Sequence, residues 1–110
     1  MEENKQTTFS ERVIRLALMV PSGMVTTYGR IAKAAGGGGQ ASRSVTAILG
    51  KAYMAGEKNI PFHRIVYSDG TAWLDGFHAP KRKALYKQEK IVLDKKGRIV
   101  DFYDKLFEYK

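Results

Sequence analysis

The chain has no cysteine among its 110 residues, and its only histidines are His63 and His78. Without cysteine it can form no disulfide, no thiolate zinc site and no cysteine nucleophile. Two histidines also argue against a histidine-rich metal site. We therefore expect no catalytic cysteine, no metal ion and no cofactor.

Long apolar runs are missing as well. No stretch approaches the roughly 18 apolar residues of a membrane span, and the first residues, MEENKQTTFSER, are too polar for a signal peptide. We expect a cytoplasmic protein that does not associate with a membrane. The length predicts one domain over residues 1–110, and a hydrophobic fraction of 44% argues against disorder.

Acidic residues are scarce, with 11 against 19 Lys and Arg, so the formal net charge is +8. Residues 1–55 hold seven basic and three acidic residues, and residues 56–110 hold twelve and eight. The positive charge is thus spread over the whole chain. This balance favours a polyanionic partner, nucleic acid first, although many basic domains bind nothing specific.

The first half of the chain predicts three helices. Thr8 and Glu11 fit a capping box that opens a helix to about Val20. Thr26 or Thr27 can cap a second helix that ends near Ala35, and a third runs over about 41–53. Between them, Gly36–Gln40 lacks the spacing of a nucleotide-binding loop, so we interpret it as a flexible turn of a helix-turn-helix.

The second half predicts small hairpins around one basic helix. Arg64–Tyr67 alternates like a strand, and Ser68–Thr71 contains the Asp-Gly turn signal of a hairpin. A helix is expected over about His78–Lys90, followed by a hairpin that turns at 94–97. The tail, DFYDKLFEYK, is expected to pack back on the domain. The predicted fold class is α/β, mostly α, with a winged helix-turn-helix.

Three residues stand out for function, and each also has a structural interpretation. His63 has the side chain of a general base, but no reactive group lies beside it, so its residue type favours a structural, hydrogen-bonding histidine. Arg43 lies among small residues that let a helix approach a groove closely, or it is a solvated charge. Tyr28 begins the second helix, where its phenol can contact a phosphate or pack in the core.

Three motifs in order, MVTTYGRIAKAAG, ASRSVTAIL and IPFHRIVYSDG, resemble the DNA-binding domain of O6-alkylguanine-DNA alkyltransferases. In that family the reactive cysteine stands between the proline and the histidine of the third motif. Phe62 occupies that position here. The chain is therefore identified as a member of the cysteine-less relatives called alkyltransferase-like proteins, and the resemblance runs from about Thr8 to Val100.

The resemblance implies roles for individual residues. Arg43 would enter the base stack from the minor groove and fill the space left by a flipped nucleotide, while Tyr28 would rotate the neighbouring phosphate. Glu89 would support His63. The predicted DNA-binding residues are Tyr28, Ser42, Arg43, Ser44 and Thr46. The predicted lesion pocket consists of Tyr28, Pro61, Phe62, His63, Arg64, Ile65 and Trp73.

Two departures from the family pattern concern the edges of this site. Thr46-Ala47 replaces the small residues, often two glycines, that follow the arginine in the family. The segment TAWLDGF replaces the family's loop that covers the base. Trp73 either serves as part of a lid or packs in the core, and we favour packing.

The resemblance implies a non-enzymatic sensor. The chain would bind O6-alkylguanine in double-stranded DNA by nucleotide flipping and flag it for nucleotide excision repair, as a monomer that is nucleoid-associated in a bacterium or archaeon. One alternative is a winged-helix regulator or architectural protein without lesion specificity. Another is an alkyltransferase that uses a different acceptor residue.

Overall fold

The computed structural model describes residues 8–37, 41–74 and 79–109. Its helices are α1 (Phe9–Leu18), α2 (Tyr28–Ala34), α3 (Ser42–Met54), α4 (Ala79–Gln88) and α5 (Phe102–Lys105). Two short strands, β1 (Thr26–Thr27) and β2 (Ile65–Val66), form a parallel pair, and a 3-10 turn at Phe62–Arg64 leads into β2. No helix in these ranges has the length and apolar character that crossing a membrane requires.

The first three helices begin as the sequence predicts. The Thr8 hydroxyl accepts from the amide of Glu11, and the Glu11 carboxylate accepts from the amide of Thr8, which completes the capping box. Thr27 caps α2 by accepting from the amide of Arg30. The helices α1, α2 and α3 then pack on one another around a core that includes Val13, Ile31 and Leu49.

A second core lies under the C-terminal half. It contains Val25, Val66, Ala72, Tyr86, Ile91, Ile99 and Leu106. Adjacent residues of β2 divide between the two cores: Ile65 belongs to the first and Val66 to the second, as the alternation of side chains along a strand requires. The small sheet therefore lies between the core of the first three helices and the core of the C-terminal half.

A strand is present within the predicted range Arg64–Tyr67, but the pairing predicted for it, with the strand that follows the Ser68–Thr71 turn, is wrong. The turn exists, because Tyr67 donates to the Thr71 carbonyl, but β2 pairs in parallel with β1, and Thr71 pairs with Arg98. Parallel partners are distant in sequence, so a local turn signal cannot reveal them.

The remaining C-terminal predictions are confirmed for the described residues. The second hairpin is held by Asp94 donating to the Arg98 carbonyl and Val100 donating to the Val92 carbonyl. In the tail, the phenol of Tyr109 donates to the Leu16 carbonyl at 2.7 Å, and Leu106 bridges to Val25. His78, the predicted start of the basic helix, and residues 38–40 of the glycine turn lie outside the described residues.

Candidate nucleic-acid interface and base pocket

The parallel sheet brings two tyrosines together. Thr27 is in register with Val66, and the next residues along the two strands are Tyr28 and Tyr67. Since parallel strands end at the same edge of a sheet, both side chains emerge there. Their ring centroids lie 6.0 Å apart with the planes tilted by 45°. Nothing in the sequence indicated a role for Tyr67, because Tyr28 is brought beside it only by the pairing of β1 with the distant strand β2.

Tyr28 lies half-buried at the start of α2, facing α3. Burial raises the pKa of its phenol and Tyr67 adds to the rise, while Arg82 and a hydrogen bond with Thr46 oppose it. The phenol is therefore protonated at neutral pH and can donate a hydrogen bond. Its contact with Thr46 joins two of the predicted DNA-binding residues across the helix-turn-helix.

The outer face of α3 carries the predicted Arg43. Val45 and Leu49 face the core, so Arg43, Ser44 and Thr46 are turned outward, with Ser42 half-buried. In the described part of the chain, Arg43 has no ion-pair partner. A long cation among small side chains can therefore reach into a groove against little steric resistance.

The 3-10 turn holds Phe62 against α3. Its ring meets that of Tyr53 edge-on, with centroids 5.8 Å apart, and Lys58 lies 3.9 Å from the Tyr53 centroid. Phe62 is only half-buried, whereas the neighbouring Pro61 is buried and Ile65 is fully enclosed in the core. Phe62 is thus the apolar side chain of this segment that remains partly accessible.

His63, Arg64 and Glu89 form one hydrogen-bonded network. His63 Nε2 lies 2.7 Å from Glu89 Oε2, and Arg64 Nη2 donates to the same oxygen at 2.6 Å. Arg64 Nε donates to Glu89 Oε1 at 3.0 Å, and the amide of Gly23 donates to that oxygen at 3.2 Å. The hydrogen bond expected between His63 and Glu89 is therefore present.

The network determines the charge on each member. Burial alone would raise the pKa of Glu89, but the hydrogen bonds from Arg64, His63 and Gly23 outweigh it and lower the pKa to about 2. Burial lowers the pKa of His63 against the opposing effect of Glu89. At neutral pH the imidazole is therefore neutral, and Nε2–H donates to an ionised carboxylate. A neutral ring leaves Nδ1 as an acceptor.

Trp73 does not pack in the core, so that preference was wrong. The preceding residue, Ala72, is buried and donates to the Gly97 carbonyl, which turns the next side chain outward. Trp73 is 41% exposed, and the guanidinium of Arg82 lies 4.9 Å from its ring centroid. Whether Trp73 belongs to a lid stays a prediction, because residues 75–78 lie outside the described ranges.

Two further residues of this region, Arg82 and Tyr86, escaped sequence reasoning. They lie on one face of α4, and the same face continues to Glu89. The Tyr86 ring meets the His63 ring edge-on, with centroids 5.9 Å apart. The i, i+4, i+7 spacing to Glu89 was the available signal. In the described ranges no cluster of three or more potential metal ligands occurs.

Known proteins resemble this chain along most of its length. Residues 8–91 match the family described as 6-O-methylguanine DNA methyltransferase, DNA binding domain. A protein of Escherichia coli K12 named DNA base-flipping protein is 32% identical over 95 residues, which is 86% of this chain and 71% of the relative. A protein of the same name from Shigella flexneri matches equally.

Solved structures show the same fold. A crystal structure of S. pombe Atl1 in complex with damaged DNA containing O6-carboxymethylguanine superimposes with a TM-score of 0.71 at 22% identity, over 99% of this chain and 100% of Atl1. The O6-methylguanine methyltransferase of M. tuberculosis gives 0.56 at 30% identity, over 78% of this chain and 50% of that protein. The predicted winged helix-turn-helix is confirmed.

Proposed function

Because the chain belongs to the family of the 6-O-methylguanine DNA methyltransferase DNA-binding domain, we propose that it recognises O6-alkylguanine in duplex DNA and holds the base without repairing it. One observation carries the proposal. Glu89 is hydrogen-bonded to His63 and Arg64 of the Phe62–Arg64 turn, the resemblance of the IPFHR motif assigns Phe62 to the position of the family's reactive cysteine, and the chain contains no cysteine.

The binding step uses α3. This helix enters the minor groove with its outer face, the serines approach the backbone, and Arg43 fills the space left by the extruded nucleotide. Extruding a base costs a few kcal/mol, and least where pairing is already damaged, so an alkylated guanine is favoured before any pocket contact forms. A guanidinium in the stack replaces part of the lost stacking. The relatives named DNA base-flipping protein support this step.

The holding step uses Tyr28 and the Phe62 turn. The protonated phenol of Tyr28 donates to the phosphate beside the lesion and helps to line the pocket. Phe62 offers a half-buried aromatic ring to the purine and its alkyl group. His63 lies beside this ring, hydrogen-bonded to Glu89 and neutral, and it has no thiol to deprotonate. The expected outcome is a bound lesion that is chemically unchanged.

Competition binding tests lesion recognition. A fluorescent duplex with one O6-methylguanine is displaced by unlabelled lesion duplex or by the matched undamaged duplex, and the lesion competitor should be effective at a much lower concentration. A 2-aminopurine placed beside the lesion should brighten on binding as the stack opens. Equal competition by the two duplexes would instead support a regulator or architectural protein without lesion specificity.

A transfer assay tests the absence of repair. The protein is incubated with duplex carrying an isotopically labelled O6-methyl group, and the label should stay in the DNA. Stoichiometric label on the protein would reveal an alkyltransferase with a different acceptor.

We further propose that the complex acts as a flag for nucleotide excision repair, that the protein binds as a monomer, and that it resides with cytoplasmic DNA, in the nucleoid of a bacterium or archaeon. Bent and unstacked DNA is a distortion that a repair complex can detect. A reconstituted excision assay on lesion duplex should show faster incision when the protein is present, and unchanged incision would contradict the flag.

A further inference from the structure

Two buried polar atoms on α4 have no hydrogen-bond partner within the described residues. They are Nη1 of Arg82 and Oη of Tyr86. Buried donors are nearly always satisfied in folded proteins, and a charged donor left unpaired is especially costly. Both atoms belong to side chains one helical turn apart on the same face of α4, so a single acceptor group near this face can satisfy both.

The guanidinium of Arg82 lies among the residues of the base pocket. Its Cζ lies over the Trp73 ring, 4.9 Å from the ring centroid, in a cation–π contact. Burial raises the pKa of Tyr28 and of Tyr86 and lowers that of His63, and the positive charge of Arg82 opposes the two rises and adds to the fall, so it lies within electrostatic reach of all three.

No carboxylate of the described protein neutralises Arg82. The acidic residue nearest along that face of α4 is Glu89, and both of its oxygens already accept hydrogen bonds from Arg64, His63 and Gly23. Beside Arg82, the Tyr86 phenol has its pKa raised to about 12, chiefly by burial, so at neutral pH it is a donor. A cation and a neutral phenol, one helical turn apart on α4, thus each hold a buried polar atom with no hydrogen-bond partner among the described residues.

We propose that Arg82 and Tyr86 bind a carboxylate carried on the O6 substituent of the flipped guanine, so that carboxyalkyl adducts are preferred to neutral ones. The inference rests on the proposed function, since it concerns the same pocket. A planar guanidinium edge matches a carboxylate in a two-point hydrogen bond. A neutral base edge would leave the charge of Arg82 without a counter-ion.

The test compares three duplexes that differ at one guanine: O6-carboxymethylguanine, O6-methylguanine and undamaged. Hydrogen bonds to charged groups predict that wild-type protein binds the carboxymethyl duplex about tenfold more tightly than the methyl duplex. Arg82→Met keeps an apolar side chain against Trp73 and should abolish this preference, so that the variant binds the carboxymethyl and methyl duplexes with equal affinity. Lys81→Met is the matched control: Lys81 is an exposed cation of α4 that is not spaced three or four residues from Arg82 or Tyr86, and its loss should leave the preference unchanged.

Tyr86→Phe removes only the hydroxyl and should reduce the preference by a smaller factor. It keeps the test decisive if Arg82→Met fails to fold, which thermal melting reveals.

Three results separate the possible errors. If wild-type protein binds both lesions equally, and both above undamaged DNA, the carboxylate proposal is overturned while lesion recognition stands. If Arg82→Met weakens all three complexes alike, the side chain contacts a phosphate and the proposal is again overturned. If neither lesion is bound above undamaged DNA, the proposed function itself fails.

Discussion

Glu89 connects three separate parts of the chain through two oxygen atoms. Its carboxylate accepts from His63 and Arg64 in the segment before β2 and from the amide of Gly23 after α1. Arg64 also donates to the Val20 carbonyl at 2.9 Å, which ties the end of the first helical segment to the same network. With the side chain only 6% exposed, removal of one partner leaves the others buried without compensation.

Glu89→Gln should therefore lower the free energy of unfolding by about 3 kcal/mol or more, the usual cost of breaking a buried charged pair. Denaturant unfolding measures it. Glu108→Gln is the matched control, because Glu108 is 63% exposed in its ion pair with Arg30, and such surface pairs contribute about 1 kcal/mol or less. Equal losses in the two variants would contradict the structural importance of Glu89.

The ionisation of the Glu89 carboxylate makes the stability of the fold depend on pH. The pKa of Glu89 falls from its ordinary 4.5 to about 2 on folding, so its stabilisation is complete above pH 4.5 and is lost as the pH falls toward 2. The stability gap between wild type and Glu89→Gln should thus be constant near neutrality and shrink over that acid range. Thermal melts at successive pH values measure this gap. A gap that widens in acid would contradict the lowered pKa of Glu89.

Arg43 provides the residue-level test of DNA binding. Arg43→Ala should weaken binding to O6-methylguanine duplex about tenfold or more, since only this side chain is proposed to fill the opened stack. Lys87→Ala, a loss of one exposed charge on α4, should weaken it by a smaller factor. Fluorescence anisotropy gives both affinities, and similar losses would argue for a simple charge contribution.

Among the elements, the turn between α2 and α3 depends on close backbone approach. A Cβ built on Gly37 would lie 2.5 Å from the Cβ of Ala41 and 2.9 Å from the ring of Phe9, whereas one on Gly29 would meet nothing within 4 Å. The glycine turn was interpreted from sequence as flexible, but at Gly37 glycine is required by packing. This packing fixes the position of the start of α3 relative to the end of α2.

Gly37→Ala should therefore destabilise the protein by about 1–3 kcal/mol, the cost of overpacking, and weaken DNA binding by displacing α3. Gly29→Ala, inside α2, should stabilise it by about 0.5–1 kcal/mol through helix propensity. Melting temperatures of the two variants give the comparison. A neutral Gly37→Ala would mean that Phe9 moves aside at little cost.

Features that depend on residues close in sequence were predictable, and features that depend on contacts between distant segments were not. The capping box at Thr8 and the Thr27 cap involve residues three apart, and the structure has both. The β1–β2 pair, the Tyr28–Tyr67 contact and the environment of Arg82 each join segments that periodicity cannot relate. The pairing of Glu89 with His63 was expected only through the family resemblance, which supplies such a long-range contact.

For the whole molecule, the even spread of charge predicts a strong salt effect. Each phosphate neutralised adds about −0.9 to the slope of log affinity against log salt on duplex DNA, so four contacts would cost about a hundredfold between about 50 and 200 mM salt. Arg43→Ala should leave the slope nearly unchanged, because a side chain in the base stack releases few counterions. A flat salt dependence in wild type would contradict backbone binding by this basic surface.

The two-residue parallel sheet also has a consequence for the order of folding. The α1–α3 cluster is built from neighbouring segments and can collapse early, but β1 must wait for β2. Val25 must likewise wait for the tail, because its amide donates to the Lys105 carbonyl and its carbonyl accepts from the Phe107 amide. Contacts between remote segments bear the larger loop-closure entropy and form late. The helix that approaches DNA can thus form before the pocket beside it, and early intermediates should bind DNA without distinguishing damaged from intact sites.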